Sequence, residues 1–328
     1  MMLDRVACGL CPKGCVLADG QNGACRVRGN RGGTVISLTD GHPCALHVDP
    51  IEKKPLFHFL PGSRTLSLAT AGCNLSCLYC QNAGISQEGP AAESMDGTWT
   101  AEDVVRLAQA RDCATVAYTY TEPIVYFEYA LACARAARAA GLRNVMVSAA
   151  YCNPGPWGTL CRAMDAVNVD LKALSDAFYR EVCGARLEPV LKALVQARDL
   201  GLLVEVTNLV IPTLNDGDEA LTALCRWVWA ELGPATPLHF SGFFPQHRLR
   251  HLPPTPPATL LRARELARAE GLRHVYLGNL ELPDGANTHC ANCDALLIER
   301  RGYSVRTNRL EPGGVCPACG AVCAGVWS

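Results

Sequence analysis

The hydrophobic residues in the middle of the chain alternate between two periods. Short apolar, β-branched runs alternate with longer segments in which apolar residues recur at helical spacing. Strands are predicted at 65–70, 114–119, 144–148, 166–170, 203–210 and 237–240, with 273–277 as a candidate seventh. This alternation is typical of βα units that build a parallel sheet.

Helices are predicted between these strands. One of them has an apolar stripe made of Leu187, Val190, Leu191, Leu194 and Val195. Another begins at the capping sequence Thr100-Ala-Glu-Asp103. Six or seven βα units in about 220 residues are too few for a closed eight-unit barrel, which needs roughly 250 residues. The sequence therefore predicts an α/β fold, an open partial (β/α)6 barrel whose functional loops follow the carboxyl ends of the strands.

Both ends of the chain break this alternation. Residues 1–60 are rich in cysteine and turns and end in a proline-punctuated segment. The last part of the chain contains two CxxC pairs, glycine-rich turns and a short β-like run. We predict an N-terminal module and linker at 1–60, the barrel at 61–285 and a small metal-binding module at 286–328.

Composition narrows the class of protein. Hydrophobic residues make up 49% of the 328 positions, and the formal net charge of −1 gives no basic field for nucleic acid or an anionic membrane. No long uncharged apolar stretch predicts a membrane span, and Asp4 and Arg5 are unlike a signal peptide. The 19 cysteines are odd in number and fall mostly in CxxC-like spacings, which favours reduced, metal-binding thiols over disulfides. A cytoplasmic protein is expected.

The most informative chemistry is the CxxxCxxC spacing of Cys73, Cys77 and Cys80, on the loop that leaves a predicted buried strand. Three thiolates suit a four-iron cluster in which one iron has no protein ligand and is open to a small chelating molecule. A zinc knuckle is the alternative, but three close cysteines without a nearby fourth fit closed tetrahedral zinc poorly. Tyr79 lies between the last two ligands and offers an aromatic face to a nucleobase.

The segment Gly72-Cys-Asn-Leu-Ser-Cys-Leu-Tyr-Cys-Gln-Asn82 resembles the signature of the radical S-adenosylmethionine (SAM) superfamily. The resemblance implies a [4Fe–4S] cluster whose open iron binds the amino and carboxylate groups of SAM. It implies that an electron from the cluster cleaves SAM into methionine and a 5'-deoxyadenosyl radical, which abstracts hydrogen from a substrate. A one-electron donor such as ferredoxin or flavodoxin is then expected.

Two further segments resemble parts of that superfamily that bind the methionyl end of SAM. Thr119-Tyr-Thr-Glu-Pro123 matches its acidic "GGE" segment by position, which puts Glu122 beside the amino group; a helix-capping Glu-Pro turn is the alternative. Asn168-Val-Asp-Leu-Lys172 resembles the Asp-Leu-Lys of glycyl-radical-enzyme activases, in which the lysine lies near the SAM carboxylate. A structural ion pair between Asp170 and Lys172 is the alternative, since a desolvated lysine needs a partner.

A third segment, 204–216, resembles the superfamily's fifth strand and the loop after it. The resemblance implies that Thr207 and Asn208 line the ribose and adenine. Two segments depart from the pattern: Ser148-Ala-Ala150 stands where Thr-Asn-Gly is usual, and Phe243-Phe-Pro245 stands where Phe-His-Pro is common. Both departures concern ribose or substrate contacts and leave the cluster motif intact.

Two further sets of four cysteines are candidate metal sites. The C-terminal set has the form of a zinc ribbon or rubredoxin-like site with structural zinc or iron, and its members are Cys290, Cys293, Cys316 and Cys319. His289 and Cys323 are spare ligands there. The N-terminal set is compatible with zinc or with an auxiliary iron–sulfur cluster, and its members are Cys8, Cys11, Cys15 and Cys25.

Nearly the whole chain is similar to one family, the AmmeMemoRadiSam system radical SAM proteins, which are related to pyruvate formate-lyase activating enzymes. The similarity includes the N-terminal Cys-Pro-x-x-Cys, the segment 41–62, the cysteine triad with Gln81-Asn82, and the C-terminal ribbon. It implies Memo-like and AMMECR-like partner proteins. Three functions stay open: an oxidoreductase acting by radical chemistry on an unidentified substrate, a glycyl-radical-enzyme activase, and a metal-holding scaffold in a complex.

Overall fold

The computed structural model describes residues 5–89 and 97–328. Its N-terminal part consists of two small antiparallel sheets. Their strands are β1 (Val6–Ala7), β2 (Val16–Leu17), β3 (Arg28–Arg31) and β4 (Thr34–Ser37), paired as β1-β2 and β3-β4. These strands are short, and turns make up most of this part of the chain.

The main layer is an eight-stranded sheet. Its strands are β5 (Pro43–Pro50), β6 (Arg64–Thr70), β7 (Thr115–Tyr118), β8 (Arg143–Ser148), β9 (Ala166–Asp170), β10 (Leu203–Val210), β11 (Leu238–Gly242) and β12 (Val275–Gly278). They lie side by side in chain order; β6 to β12 are parallel, and β5 is antiparallel to β6. Among the described residues β5 does not pair with β12, so the sheet is open. The predicted α/β partial barrel is confirmed, and the candidate seventh strand is present as β12.

Helices fill the connections. They are α1 (Ala83–Ser86), α2 (Ala101–Ala110), α3 (Phe127–Ala139), α4 (Pro154–Ala163), α5 (Asp176–Phe178), α6 (Leu187–Asp199), α7 (Asp218–Leu232) and α8 (Pro257–Ala269). The predicted cap of α2 is confirmed, since the Thr100 side chain accepts from the Asp103 amide while the Asp103 carboxylate accepts from the Thr100 amide. α6 buries Val190 and Leu194 of the predicted stripe. Its amphipathic face therefore packs on the sheet, as the sequence pattern required.

The interior of the barrel is closed at one end by residues 51–59. This segment follows β5 at the end of the sheet where the parallel strands begin. Its apolar side chains Ile51, Leu56 and Phe59 form a buried cluster with residues of β7, β8 and β9. Part of the segment predicted as a linker thus contributes an edge strand and a plug to the barrel.

The C-terminal residues form a three-stranded antiparallel sheet, β13 (Thr288–His289), β14 (Leu296–Arg301) and β15 (Ser304–Asn308). Arg300, whose side chain is fully buried, pairs with buried Glu52 (Nε to Oε1, 3.4 Å) and donates to the Phe57 carbonyl at 2.8 Å. The Val326 amide donates to the His58 carbonyl at 2.8 Å. The C-terminal module is therefore anchored on the plug, at the end opposite the strands' carboxyl termini.

No helix within the described ranges has the length and apolar character needed to cross a bilayer.

Candidate functional site

The loop that carries Cys73, Cys77 and Cys80 leaves β6 at Gly72. Gly72 has φ +95°, and a Cβ there would lie 2.5 Å from Val27 and 2.9 Å from the Cys25 carbonyl oxygen, so only glycine fits. The Ser76 amide donates to the Cys183 carbonyl at 2.9 Å, as does the Leu78 amide to the Val182 carbonyl. The loop is thus fixed from both sides by backbone contacts.

The three thiols fit a cluster better than a single ion. Within the described part of the chain, the Sγ atoms of Cys73, Cys77 and Cys80 do not all lie within 4.8 Å of one another. A cubane holds each thiolate on a separate iron, whereas one tetrahedral ion needs its sulfurs about 3.8 Å apart, given Zn–S bonds of about 2.3 Å. Hydrogen bonds reach two of the sulfurs, from the Leu75 amide to Cys73 at 3.4 Å and between Ser86 Oγ and Cys80 at 3.1 Å.

Glu122 is buried near the first of these thiols. Its carboxylate accepts from Ser148 Oγ at 2.7 Å, from the Ala149 amide at 2.9 Å and, as a cap, from the Ile124 amide at 3.3 Å. Burial raises the pKa of Glu122 to about 7 in spite of these donors. Burial raises the pKa of the Cys73 thiol, and the negative charge of Glu122 raises it further. A cationic group placed between them would relieve both charges.

The shifted pKa of Glu122 predicts a pH dependence of stability. Because its folded-state pKa of about 7 exceeds the ordinary value of 4.5, the folded state retains a proton that the unfolded state has lost. The free energy of unfolding should therefore fall by about 3 kcal/mol between about pH 4.5 and 7 on account of this group. When the free energy of unfolding is measured with urea at several pH values in this range, it should fall less steeply with pH in Glu122→Gln than in the wild type. Equal slopes for wild type and Glu122→Gln would contradict the assignment, and exposed Glu231→Gln is the control.

Lys172 lies near the second of these thiols, Cys77. Its Nζ is 3.1 Å from Asp170 Oδ2 and 5.8 Å from the centre of the Tyr79 ring, and the side chain is 12% exposed. The Cys183 thiol, and after it the Lys172 ammonium, lower the pKa of Cys77, which favours its thiolate form. The predicted Asp170–Lys172 pair therefore exists, and it lies beside a predicted cluster ligand.

Three more predicted contact residues flank this region. Tyr79 is buried, with its ring 6.4 Å from that of Phe178 and its hydroxyl 3.7 Å from Cys183 Sγ. Asn208 Nδ2 donates to the Leu171 and Lys172 carbonyls at 2.8 and 3.1 Å, which fixes the loop that carries Lys172. Thr207 Oγ1 and Asn208 Oδ1 are buried without a hydrogen-bond partner among the described residues.

Successive side chains of a strand point to opposite faces of the sheet, and Asn208 lines a small cavity with Leu221 and Leu224 of α7. Thr207 lies on the other face with Glu205, which accepts from the His58 amide inside the barrel. The structure therefore does not bring Thr207 and Asn208 to one ligand, as the sequence predicted, and only Thr207 faces the barrel interior.

Two residues beside Glu122 have backbone conformations that the sequence did not indicate. Tyr120 has φ +64° and Ala150 has φ +53°, and both stand where the resemblance expects glycine. The Tyr120 hydroxyl donates to Asp49, its ring lies 4.3 Å from Lys54 Nζ, and its carbonyl accepts from Asn82 at 2.8 Å. Side-chain contacts therefore stabilise at Tyr120 a left-handed turn that glycine adopts without strain.

The C-terminal cysteines form a compact four-thiol group. The Sγ atoms of Cys290 and Cys319 are 3.6 Å apart, and those of Cys293 and Cys316 are 3.8 Å apart. These distances match the edge of about 3.8 Å expected for thiolates around one tetrahedral ion. Both halves fold alike, since the Cys290 amide donates to Ala295 and the Cys316 amide to Ala321.

The predicted spare ligands lie outside this group. His289 bonds through its ring nitrogens to Asp284 and to the Asp294 carbonyl. Cys323 instead lies with His58 and His274 in a buried group that the sequence did not indicate. His58 already uses both ring nitrogens, at 2.7 Å to the Ala324 carbonyl and 2.6 Å to the Tyr276 hydroxyl. It is therefore a satisfied core histidine, and burial lowers its pKa.

The N-terminal cysteines Cys8, Cys11, Cys15 and Cys25 line a single cavity, and Asn74 of the cluster loop lies in its wall. The structure thus brings the N-terminal module against the loop of Cys73. Nothing in the sequence pattern indicated that these two thiol sets are neighbours.

Comparisons with known proteins agree with this geometry. Residues 67–225 match the profile of the Radical SAM superfamily. The chain is 44% identical over 318 residues to the uncharacterized protein MJ0808 of Methanocaldococcus jannaschii, covering 97% of this chain and 94% of that protein. It is 24% identical over 174 residues to a pyruvate formate-lyase-activating enzyme of Clostridium pasteurianum, covering 51% of this chain and 69% of that protein.

The fold is shared with a radical SAM methyltransferase from Sphaerobacter thermophilus, with a TM-score of 0.52 and 15% identity over 67% of each chain. At that identity the likeness concerns the fold alone. It agrees with the open parallel sheet. The chain belongs to the same protein family as MJ0808, and its residues 67–225 form a radical SAM domain.

Proposed function

We propose that this protein is a radical SAM enzyme that reductively cleaves SAM and uses the resulting 5'-deoxyadenosyl radical to abstract hydrogen from a substrate. The observation that supports this most is the loop of Cys73, Cys77 and Cys80 with a buried carboxylate beside one thiol and a partly buried ammonium beside another. When bound, a [4Fe–4S] cluster on these thiolates supplies the electron that cleaves SAM into methionine and the radical.

The residues around the loop match the polar groups of SAM one by one. The Glu122 carboxylate accepts from the α-ammonium, which removes the cost of its burial. The Lys172 ammonium faces the α-carboxylate. Thr207 offers its unpaired hydroxyl oxygen to a ribose hydroxyl or to the adenine amino group. The Tyr79 ring packs near Lys172 Nζ, and the Asn208 side chain donates to the backbone carbonyl of Lys172, so both contacts help to position Lys172.

An anaerobic product assay tests the proposal. Reconstituted protein with dithionite and SAM should form 5'-deoxyadenosine and methionine in equal amounts. A metal-holding scaffold would form neither product, so their absence in cluster-loaded protein would refute the enzyme.

Replacing Lys172 should weaken SAM binding. Lys172→Met leaves the SAM carboxylate without its charged partner, and the dissociation constant should rise about 10- to 100-fold, since each factor of ten is about 1.4 kcal/mol. Equilibrium dialysis with cluster-loaded protein measures this directly. Lys192→Met is the matched control, because Lys192 is 70% exposed on α6. If the dissociation constant did not change in Lys172→Met, the ion pair between Asp170 and Lys172 would have only a structural role.

A second candidate function is activation of a glycyl-radical enzyme, and the similarity to the pyruvate formate-lyase-activating enzyme favours it. In that case the radical abstracts hydrogen from a backbone glycine of a partner enzyme. With a partner labelled with deuterated glycine, deuterium should appear in 5'-deoxyadenosine. Unlabelled product formed in the presence of such a partner would favour a different substrate. A low-potential electron donor is needed in either case, and Memo-like and AMMECR-like proteins are candidate partners to include in the assay.

For the C-terminal four-thiol site we propose structural zinc. The sulfur spacing fits one tetrahedral ion, and four thiolates leave no position for a reacting molecule. The site lies on the plug side of the barrel, away from the cluster loop. Metal analysis distinguishes zinc from a rubredoxin-type iron.

A further inference from the structure

We infer that Cys8, Cys11, Cys15 and Cys25 hold a second iron–sulfur cluster that lies directly against the loop of Cys73 and exchanges single electrons with the catalytic centre. The electron-transfer role rests on the proposed function, whereas the second cluster does not. The inference follows from the cavity that these cysteines line, from the spacing of their sulfurs and from what they contact.

The four thiols line one partly enclosed cavity. Its wall also contains the apolar side chains Leu17, Ile124 and Val125. The cysteines are held by backbone turns, with the Cys8 amide donating to the Cys15 carbonyl at 2.8 Å and the Gly14 amide to the Cys11 carbonyl at 3.2 Å. Four thiols brought to a partly apolar cavity by a chain this rich in turns indicate a metal centre.

The spacing of the sulfurs favours a cluster over a single ion. Among the described residues, no three of these four Sγ atoms lie within 4.8 Å of one another, whereas the four C-terminal sulfurs all do. One tetrahedral ion requires sulfurs about 3.8 Å apart. A polynuclear iron–sulfur cluster takes its thiolates on separate irons around a larger core. The two four-thiol sites of this chain therefore differ in the centre they suit.

The contacts of the sulfurs agree with bound thiolates. The Ala24 amide donates to Cys15 Sγ at 3.4 Å. Hydrogen bonds to cluster sulfurs of this kind are among the features that set the reduction potential of an iron–sulfur cluster.

The cavity shares a wall with the catalytic loop. Asn74, the residue after Cys73, lines it, and the Cys25 carbonyl packs on Gly72. The Asn153 amide donates to the Leu10 carbonyl at 2.9 Å, and Lys13 Nζ donates to the Gly184 carbonyl, so the module is fixed over the barrel mouth. With all four positions ligated by protein, this cluster has no open iron for SAM. Its chemistry is then the passage of one electron from a low-potential donor to the neighbouring cluster, with no atoms transferred.

Acid-labile sulfide is the decisive measurement, because neither zinc nor a rubredoxin-type iron contains it. Protein with Cys73, Cys77 and Cys80 all replaced by Ala, isolated without oxygen, should keep about one third to one half of the wild-type sulfide, depending on whether the second cluster has two or four irons. Adding Cys8→Ser and Cys15→Ser should remove the rest, whereas adding Cys225→Ser, a buried thiol of α7, should not. The inference of a second cluster would be overturned if the triple-Ala variant contained no sulfide. It would also be overturned if adding Cys15→Ser to that variant removed only zinc.

A variant that lacks only the N-terminal ligands shows whether the rest of the protein still folds, and it also allows a test of the contact between the two clusters. Cys8→Ser/Cys15→Ser in the otherwise wild-type chain should keep the sulfide of the catalytic cluster and lose only the remainder. In dithionite-reduced wild type, the two neighbouring clusters should give a spin-coupled EPR spectrum that differs from the sum of the two variants' spectra. A spectrum equal to that sum would refute the close approach of the two clusters on which the electron exchange depends. If wild type cleaves no SAM while the triple-Ala variant retains sulfide, the proposed function fails and the second cluster stands.

Discussion

Replacement of Cys73, Cys77 or Cys80 by alanine should reduce the formation of 5'-deoxyadenosine by roughly a thousandfold or more, to the level of the reaction without enzyme. Each of these thiolates would ligate a different iron, so the loss of one leaves a second iron without a protein ligand. The cluster then binds weakly or loses iron, and no electron reaches SAM. Product formation in a single turnover with dithionite, together with iron content, measures both effects.

The control must be a cysteine that packs in the hydrophobic core but does not ligate iron. Cys225 suits this purpose because it is fully buried in α7 among apolar side chains. Cys225→Ala should lower stability by about 1 kcal/mol and leave 5'-deoxyadenosine formation unchanged. Turnover that survives in Cys73→Ala at the wild-type rate would mean that this loop does not carry the reaction.

Much of the fold followed from the sequence because the strands are covered on both faces. Every residue from Thr65 to Thr70 in β6 is buried, and so is every residue of β7, which gives the continuous apolar runs that the pattern detects. The cysteine loop was found for a related reason, since ligands of one centre lie close together in the chain. Local patterns of both kinds are visible without knowing the rest of the fold.

The parts that the sequence did not reveal depend on contacts between distant segments. The plug residues 51–59 are apolar, but nothing local indicates that they enter a barrel. The contact between Cys25 and Gly72 joins two cysteine motifs that are far apart in the chain. The left-handed turns at Tyr120 and Ala150 also escaped detection, because glycine is the usual signal for φ > 0 and neither residue is glycine.

Loss of the C-terminal metal should unfold the last part of the chain and destabilise the barrel with it. The module's own core consists of Leu297, Ile298 and three cysteines, which is too little apolar surface to fold alone. In isolated zinc fingers, metal binding supplies about 10 kcal/mol or more of folding free energy. Here the module also covers the plug, and its loss separates buried Arg300 from buried Glu52. The free energy of unfolding should fall by about 3–5 kcal/mol, the cost of breaking such a pair.

Cys316→Ser tests this without a chelator, which would also remove iron from the clusters. Expected results are the loss of one metal ion per chain, cleavage by protease after residue 286, and a lower urea midpoint, with acid-labile sulfide unchanged. The matched control is Cys323→Ser, because Cys323 is buried in the same small core but lies outside the four-thiol group. If Cys316→Ser kept the metal and the wild-type urea midpoint, the four-thiol group would not be a structural centre. If Cys323→Ser lost the metal as readily as Cys316→Ser, the packing of this core, and not ligation by four particular sulfurs, would hold the module together.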